Sequence, residues 1–247
     1  MLFSGRMVLR IVRIEDVPGY SGFPSVRKCA RLAPDMKFLV TAGPTREPLD
    51  PVRYLTNRSS GRMGYALAGA ARHEGHEVIL ISGPTVLDVP PGVDFIPVET
   101  AQQMYEAVRD MLPGVDVAVL CAAVADYRPV VCAEQKMKKG AERMVLELEK
   151  TPDILGSMRD VFGFRGVLVG FAAETQNVLA YAREKLQRKQ CDMVVANDVS
   201  RSDIGFDSRE NEVLLVFPNR EEALPKDTKE HIALHIVEHA ANLLPRV

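Results

Sequence analysis

The chain has 247 residues, 47% of them hydrophobic, and its 31 basic and 33 acidic side chains leave a net charge of −2. This composition is typical of a globular protein, and the balanced charge favours neither a nucleic acid nor an anionic membrane surface as a partner. No apolar stretch approaches the ~18 residues that a membrane helix requires.

Residues 1–36 contain turn signals such as Pro18-Gly19, and we expect them to form a loosely ordered extension. Arg10 and Arg13 interrupt the apolar run near the start, so no secretory signal peptide is predicted. The four cysteines show no C-x-x-C spacing, which suggests neither a zinc site nor a disulfide framework. We therefore expect a cytoplasmic protein with reduced thiols and a single domain over residues 37–247.

The first predicted strand, Phe38–Val40, stops at Gly43-Pro44 and leads into a long polar loop. The loop ends at Ser59-Ser60, where a serine is a favoured N-cap, and apolar residues then recur at helical spacing. Doubly wound folds bind phosphates where the first strand feeds a helix N-terminus. We therefore predict an anion site here, in which Gly61 and Gly64 let backbone and ligand approach closely. The alternative is an ordinary surface loop, since neither a G-x-G-x-x-G fingerprint nor a P-loop is present.

Strands and helices then alternate along the chain. Predicted strands cover 76–82, 93–98, 116–124, 145–148, 166–171 and 191–196, and predicted helices cover 101–112, 152–162 and 176–190. This alternation predicts an α/β fold with a Rossmann-like, doubly wound and mostly parallel sheet. Glu212–Phe217 is predicted to be an antiparallel edge strand near the C-terminus, and Lys229–Leu244 a closing helix.

Ligands of open α/β sheets bind beyond the carboxyl ends of the strands. That rule selects Gly43–Thr45, Ala122–Asp126, Phe171–Glu174 and Asn197-Asp198, because each segment directly follows an apolar strand. Three roles are open for Asp126 in such a position: binding of a nucleotide ribose, orientation of a metal ion, or formation of a turn. Phe171 either packs on a base or belongs to the core.

Two groups of lysines have both a functional and an ordinary explanation. Lys136, Lys138 and Lys139 lie within four residues and form either a cationic closing loop or a solvated surface loop. Lys185 and Lys189 are spaced i, i+4, so they share one helix face, which meets either an anion or water.

Six motifs occur in order: GPTREPLDPVRYLTNRSSGRMG (43–64), AAVADYRP (122–129), KMKK (136–139), TPDIL (151–155), GFAAET (170–175) and ANDVS (196–200). Together they resemble the phosphopantothenoylcysteine synthetase family, also called phosphopantothenate–cysteine ligases, over about residues 37–243. In many bacterial relatives the synthetase follows a flavin-dependent decarboxylase domain, which residues 1–36 are too short to contain. The resemblance therefore implies the synthetase alone, and it leaves a separate decarboxylase open as a partner.

The resemblance implies a ligase of coenzyme A biosynthesis that joins 4′-phosphopantothenate to L-cysteine through an acyl-nucleotidyl intermediate. Bacterial members typically use CTP and eukaryotic members tend to prefer ATP, and the bacterial character of the motifs favours CTP as the co-substrate. We expect Mg²⁺ to bridge the nucleotide phosphates. The family also implies a homodimer, with the lysine-bearing segment near the subunit interface acting as a strap over the active site.

The resemblance also implies roles for individual residues. Asn57 contacts the acyl intermediate and is the best catalytic candidate, Arg53 is needed near the same site, and Lys136 is the key lysine of the strap. Nucleotide contacts are implied for Ser59, Ser60, Gly61, Met63, Gly64, Ala122, Asp126, Lys136, Thr151, Pro152, Phe171, Lys185 and Lys189. No residue is assigned to the metal ion.

Two other functions stay open on the sequence. An NAD(P)-dependent short-chain reductase would have a similar first βα unit, but Tyr127 is followed at the fourth place by Val131 rather than by the catalytic lysine. A non-catalytic nucleotide-binding module would share the fold, but the presence of Asn57 and Lys136 argues against it.

Overall fold

A parallel sheet, predicted from the alternating pattern, forms the centre of the protein. A computed structural model describes residues 36–138, 143–198, 208 and 210–244, all within one unit of the chain, Asp35–Val247. Residues 1–35 of the extension predicted at the N-terminus, and Lys139 of the lysine cluster, lie outside the described residues. Within those residues no helix is both long and apolar enough to cross a membrane.

The elements alternate as the sequence predicts. In chain order they are β1 (Lys37–Ala42), β2 (Arg46–Pro48), β3 (Tyr54–Thr56), α1 (Arg62–His73), β4 (Glu77–Ser82), β5 (Asp94–Pro97), α2 (Ala101–Met111), β6 (Val117–Leu120), β7 (Tyr127–Pro129), β8 (Leu148–Lys150), α3 (Ile154–Asp160), β9 (Val167–Glu174), α4 (Val178–Arg188), β10 (Met193–Asp198), β11 (Glu210–Val216), β12 (Glu221–Thr228) and α5 (Lys229–Asn242).

Eight of these strands form one sheet in the order β12-β11-β10-β9-β6-β1-β4-β5. The strands from β10 to β5 are parallel to one another. Numbered along the chain, these six have the order 3-2-1-4-5-6, which is the strand order of dinucleotide-binding Rossmann folds. β11 and β12 are antiparallel, so the predicted α/β fold with antiparallel structure near the C-terminus is confirmed.

The outermost strand, β12, is not predicted from the sequence. Its segment, EEALPKDT, carries four charged residues and Pro225 and has little β-propensity. Charges and proline are features that natural sheets use to protect an edge from pairing with another chain. β12 is held by its antiparallel ladder to β11, which a local pattern cannot reveal.

The helices cover both faces of the sheet and bury two separate cores. Alternate residues of β1 point to opposite sides, because successive side chains of a strand do so. Phe38 and Val40 belong to the core that includes residues of α1 and α5, while Leu39 belongs to the core that includes residues of α2, α3 and α4. The near-continuous apolar runs of the central strands follow from this burial on both faces.

Two short two-stranded sheets, β2–β3 and β7–β8, stand outside the main sheet, and β2 contacts β7. We call residues 46–56 and 127–150 the arm. A loop is predicted between β1 and α1, but the structure has the β2–β3 hairpin there. Strands of three residues are too short to give a detectable period, which explains the difference.

Gly64 sets the distance between α1 and β1. A Cβ atom at Gly64 would lie 2.5 Å from the Cβ of Ala42 and 3.2 Å from the carbonyl oxygen of Thr41. Both neighbours belong to the central strand, so neither can move without disturbing the sheet. From the sequence, Gly64 is expected to let a ligand approach the backbone closely. In the structure its missing side chain permits close packing of α1 on β1.

We expect Gly64→Ala to lower the free energy of unfolding by about 1–3 kcal/mol, because the added methyl group overpacks the contact with Ala42. Gly69→Ala is the matched control in the same helix, since a Cβ there would meet nothing closer than 3.9 Å. The control should stabilise the protein by about 0.5–1 kcal/mol through helix propensity. Urea unfolding measures both values, and equal effects of the two changes would contradict the packing argument.

Candidate active site

The carboxyl ends of β1 and β6 meet at the centre of the sheet, where the strand order reverses. Doubly wound folds bind their ligands at this switch point. Here the chains that leave the two strands stay paired beyond the sheet. The N–H of Ala123 donates to the carbonyl of Gly43 at 2.9 Å, and the N–H of Thr45 donates to the carbonyl of Ala123 at 3.3 Å.

The segment after β6, residues 122–126, is fixed by threonine side chains, and we call it the β6 loop. Thr41 Oγ1 accepts from the N–H of Ala122 at 3.2 Å, and the fully buried Thr45 accepts from the N–H of Ala125 at 3.0 Å. Thr151 Oγ1 donates to the carbonyl of Ala125 at 2.5 Å. The loop that ends in the exposed Asp126 is therefore rigidly attached to its neighbours.

Asn57 lies at the end of β3 and reaches the same loop. Its Nδ2 donates to the carbonyls of Ala123 and Val124, each at 3.1 Å. Both amide hydrogens are therefore engaged by the main chain, and the side-chain oxygen is the atom that remains for a ligand. If the contact that the family resemblance implies between Asn57 and the acyl intermediate is made by the amide N–H, one of these two bonds must be exchanged.

The start of α1 differs from its prediction. The N-cap is Gly61, in the left-handed region at φ 78°, and no side chain caps the helix. Neither Ser59 nor Ser60 is the N-cap; Ser59 Oγ instead accepts from the N–H of Gly61 at 3.4 Å. The partly buried Met63 follows in the first turn. An N-terminus without a side-chain cap keeps its N–H groups and its positive dipole end for another acceptor.

Thr151 and Pro152 precede α3 rather than begin it. The N-cap of α3 is Asp153, whose side chain accepts from the N–H of Gly156 at 2.9 Å. Thr151 instead donates its own N–H to the carbonyl of Asp126 at 3.0 Å. The hydroxyl of Thr151 also bonds to the β6 loop, and α3, Ile154–Asp160, is shorter than the predicted helix over 152–162.

Lys185 and Lys189 both have protein partners. Lys185 donates to the carbonyl of Phe171 at 2.5 Å, and burial lowers the pKa of its ammonium group. Lys189 pairs with Asp153, and only 12% of its side chain is exposed. An open depression of about 330 Å³ beside them is lined by Glu174, Tyr181, Glu184, Lys185 and Arg188. A phosphate contact by either lysine stays a prediction, and it would have to compete with these protein acceptors.

The lysine-bearing segment lies against the turn between β2 and β3. We define the strap as residues 133–140, of which 133–138 are described. Arg53 donates from Nη2 to the carbonyl of Met137 at 2.9 Å, and Asp50 Oδ2 accepts from the N–H of Met137 at 3.1 Å. Met137 stands between Lys136 and Lys138, and both of these lysines are exposed.

Arg53 and Lys136 are found from the sequence, but Asp50, which joins Arg53 to the residue after Lys136, is missed. Asp50 lies in the quoted motif, yet an aspartate next to a proline has the ordinary explanation of a turn residue. Its contact with Met137 spans 87 residues and leaves no local signal. Glu47 is missed for the same reason, because this buried carboxylate accepts from the N–H of Ala101 at the start of α2, 2.8 Å away.

A resident metal centre is not found in the described part of the chain. No group of three or more His, Cys, Asp or Glu side chains there is placed to hold a metal ion. Of the carboxylates singled out from the sequence, Asp126 lies exposed at the end of the β6 loop. Such a donor set fits a cation that arrives with a nucleotide, because Mg²⁺ is usually held by one or two carboxylates, waters and the substrate phosphates.

The fold and the site together define a Rossmann-like α/β domain whose polar residues gather at the central switch point. The chain belongs to the family described as DNA/pantothenate metabolism flavoprotein C-terminal domain, which matches residues 33–244.

Proteins similar to this chain are named as proteins of coenzyme A biosynthesis. It is 47% identical over 212 residues to the coenzyme A biosynthesis bifunctional protein CoaBC of Vibrio vulnificus strain YJ016, covering 85% of this chain and 53% of that relative. The chain thus spans about half the length of that relative. The solved C-terminal domain of a CoaBC protein has 42% identity and a TM-score of 0.72, with coverage of 84% of this chain and 95% of that chain.

A more distant solved structure supports the fold alone. A Cab2 variant in complex with phosphopantothenate-cysteine has 17% identity and a TM-score of 0.69, with coverage of 84% of this chain and 87% of that chain. None of these relatives favours the alternatives of a short-chain reductase or a non-catalytic module.

Proposed function

We propose that this chain is a phosphopantothenate–cysteine ligase of coenzyme A biosynthesis that works through an acyl-nucleotidyl intermediate. Its family and its similarity to CoaBC proteins support the pathway. The observation that carries the proposal is that one hairpin, β2–β3, carries Arg53 in its turn and Asn57 at its opposite end. Arg53 contacts the strap between two lysines, and Asn57 contacts the β6 loop at the switch point.

In the first step a carboxylate oxygen of phosphopantothenate attacks the α-phosphorus of the nucleotide. A new O–P bond forms, the bond to the β-phosphate breaks, and pyrophosphate leaves. Negative charge accumulates on the phosphates, so the step requires fixed positive charge around them. The start of α1 and the ammonium of Lys136 supply this charge in the proposal. Bound Mg²⁺ would add charge neutralisation at the same phosphates.

In the second step the amine nitrogen of cysteine attacks the acyl carbon. A C–N bond forms, the C–O bond to the nucleotide breaks, the nucleoside monophosphate leaves, and the proton of the amine passes to solvent. The attack passes through a tetrahedral oxyanion, which is sensitive to any negative charge beside it. Asn57 and the β6 loop are the proposed surroundings of this carbon, and their hydrogen bonds hold them in place before the substrate binds.

The depression beside Lys185 fits the nucleoside end of the co-substrate better than its phosphates. Glu174 and Glu184 balance the charges of Lys185 and Arg188 in its lining, so the depression has no excess positive charge for phosphates, while its carboxylates accept hydrogen bonds from hydroxyl and amino groups. Phe171 is expected to end its strand, but β9 continues to Glu174; its ring is partly buried against the core, so only part of it remains for a base. We propose CTP as the nucleotide.

The arm is the proposed surface of a homodimer. Of the 15 exposed large apolar side chains in the described residues, nine lie in the arm, and this concentration supports the proposal of an interaction surface there. They are Val52, Tyr54, Tyr127, Val130, Val131, Met144, Val145, Leu146 and Leu148. A second copy of the chain, related by a two-fold axis, is the proposed occupant.

A decarboxylase is the proposed neighbour in the pathway. The similar CoaBC proteins are called bifunctional, and this chain matches about half of one of them. We propose that a flavin-dependent decarboxylase consumes the product, either as a separate partner or in the same polypeptide. A cytoplasmic location stays a prediction.

The function is tested by pyrophosphate release with phosphopantothenate and each of the four nucleoside triphosphates, with and without cysteine. We expect release with CTP in the absence of cysteine, because activation precedes transfer, and faster turnover when cysteine is added. In competition at equal concentration CTP should be consumed before ATP. No release with any nucleotide would overturn the ligase, and a clear preference for ATP would overturn only the choice of CTP.

Lys136→Gln should leave the fold intact and reduce kcat/KM for the nucleotide by about 10²–10³-fold, because a charge-assisted contact to the phosphates is lost. Lys226→Gln is the control, since Lys226 lies on β12 at the far edge of the sheet and pairs with Glu210. Steady-state kinetics measures both variants. Near-normal activity of Lys136→Gln would identify Lys136 as a solvated surface residue.

Asn57→Asp should still form the acyl-nucleotidyl intermediate but transfer it poorly to cysteine. A carboxylate at this position cannot donate to the carbonyls of Ala123 and Val124, and its charge opposes the oxyanion of the second step. Mass spectrometry with labelled CTP, before and after cysteine is added, follows the intermediate.

The control for this experiment is Asn242→Asp, because the amide of Asn242 also donates to a main-chain carbonyl, that of Glu238, but on α5. Persistence of the intermediate in the Asn57 variant alone supports the assignment. Absence of any intermediate would move Asn57 to the first step, and rapid product formation would remove it from the mechanism.

Val145→Asp should convert the proposed dimer into a monomer, because a charge is placed in the apolar surface of the arm. The side chain of Val145 is 93% exposed, so the change should not affect the fold of the monomer. Val86→Asp is the control at an equally exposed position outside the arm. Sedimentation equilibrium decides, and an unchanged mass for the Val145 variant would exclude this part of the arm as the interface.

A further inference from the structure

Asp50 is a buried carboxylate that accepts more hydrogen bonds than a turn requires. Its side chain has no exposed surface, although it lies next to the exposed Arg53. Oδ1 accepts from the N–H groups of Val52 and Arg53 at 2.8 and 2.9 Å, and Oδ2 accepts from the Arg53 guanidinium at 2.5 and 3.0 Å. These local bonds already close the turn between β2 and β3.

The remaining bond of Asp50 leaves the turn and reaches the strap. Oδ2 accepts from the N–H of Met137, while Arg53 donates to the carbonyl of the same residue. A further main-chain bond joins the N–H of Ala133 to the carbonyl of Leu49 at 3.0 Å. Both polar groups of one strap residue are thus held by a single ion pair, and that residue has a lysine on each side.

We propose that Asp50 is a positioning residue of the proposed ligase: it anchors the strap at Met137 and so fixes where Lys136 presents its charge. The inference rests on the proposed function for the role of Lys136, but the anchoring itself does not depend on it. Asp50 touches neither substrate nor nucleotide in this scheme and acts through the strap.

A negative charge suits this position. The described part of the strap carries Lys136 and Lys138, and its docking also brings it to the guanidinium of Arg53. Without Asp50 these cations would repel one another, and a neutral acceptor would not offset the repulsion. Asp50 places its carboxylate between Arg53 and the strap and contacts both.

The carboxylate stays ionised wherever the enzyme is expected to work. Hydrogen bonds from the Arg53 guanidinium, helped by the N–H groups of Val52, Met137 and Arg53, hold the pKa of Asp50 well below its ordinary value of 3.8. A lowered pKa in the folded state gives stability that is present above the unfolded value and lost as the pH falls through the folded value. The anchor is therefore fully formed at neutral pH.

Limited proteolysis tests the anchor directly. Trypsin cleaves after lysine, and the bond between Lys136 and Met137 contains the very N–H that Asp50 accepts. Cleavage requires the strap to leave its site, so its rate follows the population of the undocked form. We expect Asp50→Asn to raise the rate of cleavage after Lys136 by about tenfold.

Asp110→Asn is the matched control. Asp110 is also paired with a neighbouring arginine, Arg109, which lowers its pKa, but the pair lies on α2. It should leave strap cleavage unchanged. Equal rates for wild type and Asp50→Asn would overturn the anchor, and so would an equal increase in both variants.

Hydrogen exchange makes the test independent of how well the variant folds. In the wild-type protein the amide of Met137 should exchange slowly, because its N–H is bonded to Asp50. Exchange at the rate of an unprotected amide in the wild type would overturn the proposal without any substitution. Circular dichroism of Asp50→Asn shows whether increased cleavage comes from the strap or from loss of the fold.

A double-mutant cycle tests whether Asp50 acts through Lys136. We expect Asp50→Asn to reduce kcat/KM for CTP by about tenfold or more, because a displaced catalytic group loses its orientation. In a Lys136→Gln background the same change should have little further effect, since the two residues would serve one function. Effects that add fully would overturn the positioning role.

Failure of the proposed function would look different. If wild-type protein releases no pyrophosphate, the ligase is wrong, yet proteolysis and hydrogen exchange still decide whether Asp50 anchors the strap. If the ligase is active and the anchor fails both structural tests, only the inference about Asp50 is lost.

Discussion

The pairing between the chains that leave β1 and β6 is the constraint on which the rest of the site depends. A bridge between Pro44 and Ala123 extends the parallel pairing of the two strands beyond the sheet. Loops of this kind must satisfy their backbone groups without a strand partner. Here small polar side chains do so: Thr41, Thr45, Asn57 and Thr151 together bond to the main chain of residues 122–125.

This arrangement explains why residues far apart in sequence form one site. Thr45 belongs to the segment after β1, Asn57 to the end of β3 and Thr151 to the segment after β8. Each is fixed by its bond to the β6 loop rather than by its own element. The site is therefore assembled on a rigid piece of backbone, as a preorganised catalytic site requires.

Sequence reasoning succeeds where a property is local and fails where it depends on a distant partner. The central strands are predicted because burial on both faces leaves apolar runs. The β2–β3 hairpin is missed because it is held from outside, by the bond from Arg46 N–H to the carbonyl of Glu99 at 2.7 Å and by Glu47 at the start of α2. The N-cap of α1 is predicted wrongly because the two preceding serines are favoured cap residues, whereas the actual cap, Gly61, is identified only by its left-handed conformation. Likewise, Lys136, Lys185 and Lys189 look alike in sequence, yet the first is exposed and the other two already bond to Phe171 and Asp153.

The arm contains both the anchored strap and the apolar surface proposed for the dimer. The strap, with its anchor at Asp50, and the exposed apolar side chains occupy the same two segments of the chain. Met144 and Val145 lie a short distance along the chain from the anchor at Met137, so in the proposed dimer a second copy would cover residues close in sequence to the strap. If the association favours the docked strap, thermodynamic linkage makes the effect reciprocal, and whatever favours the docked strap then favours the association.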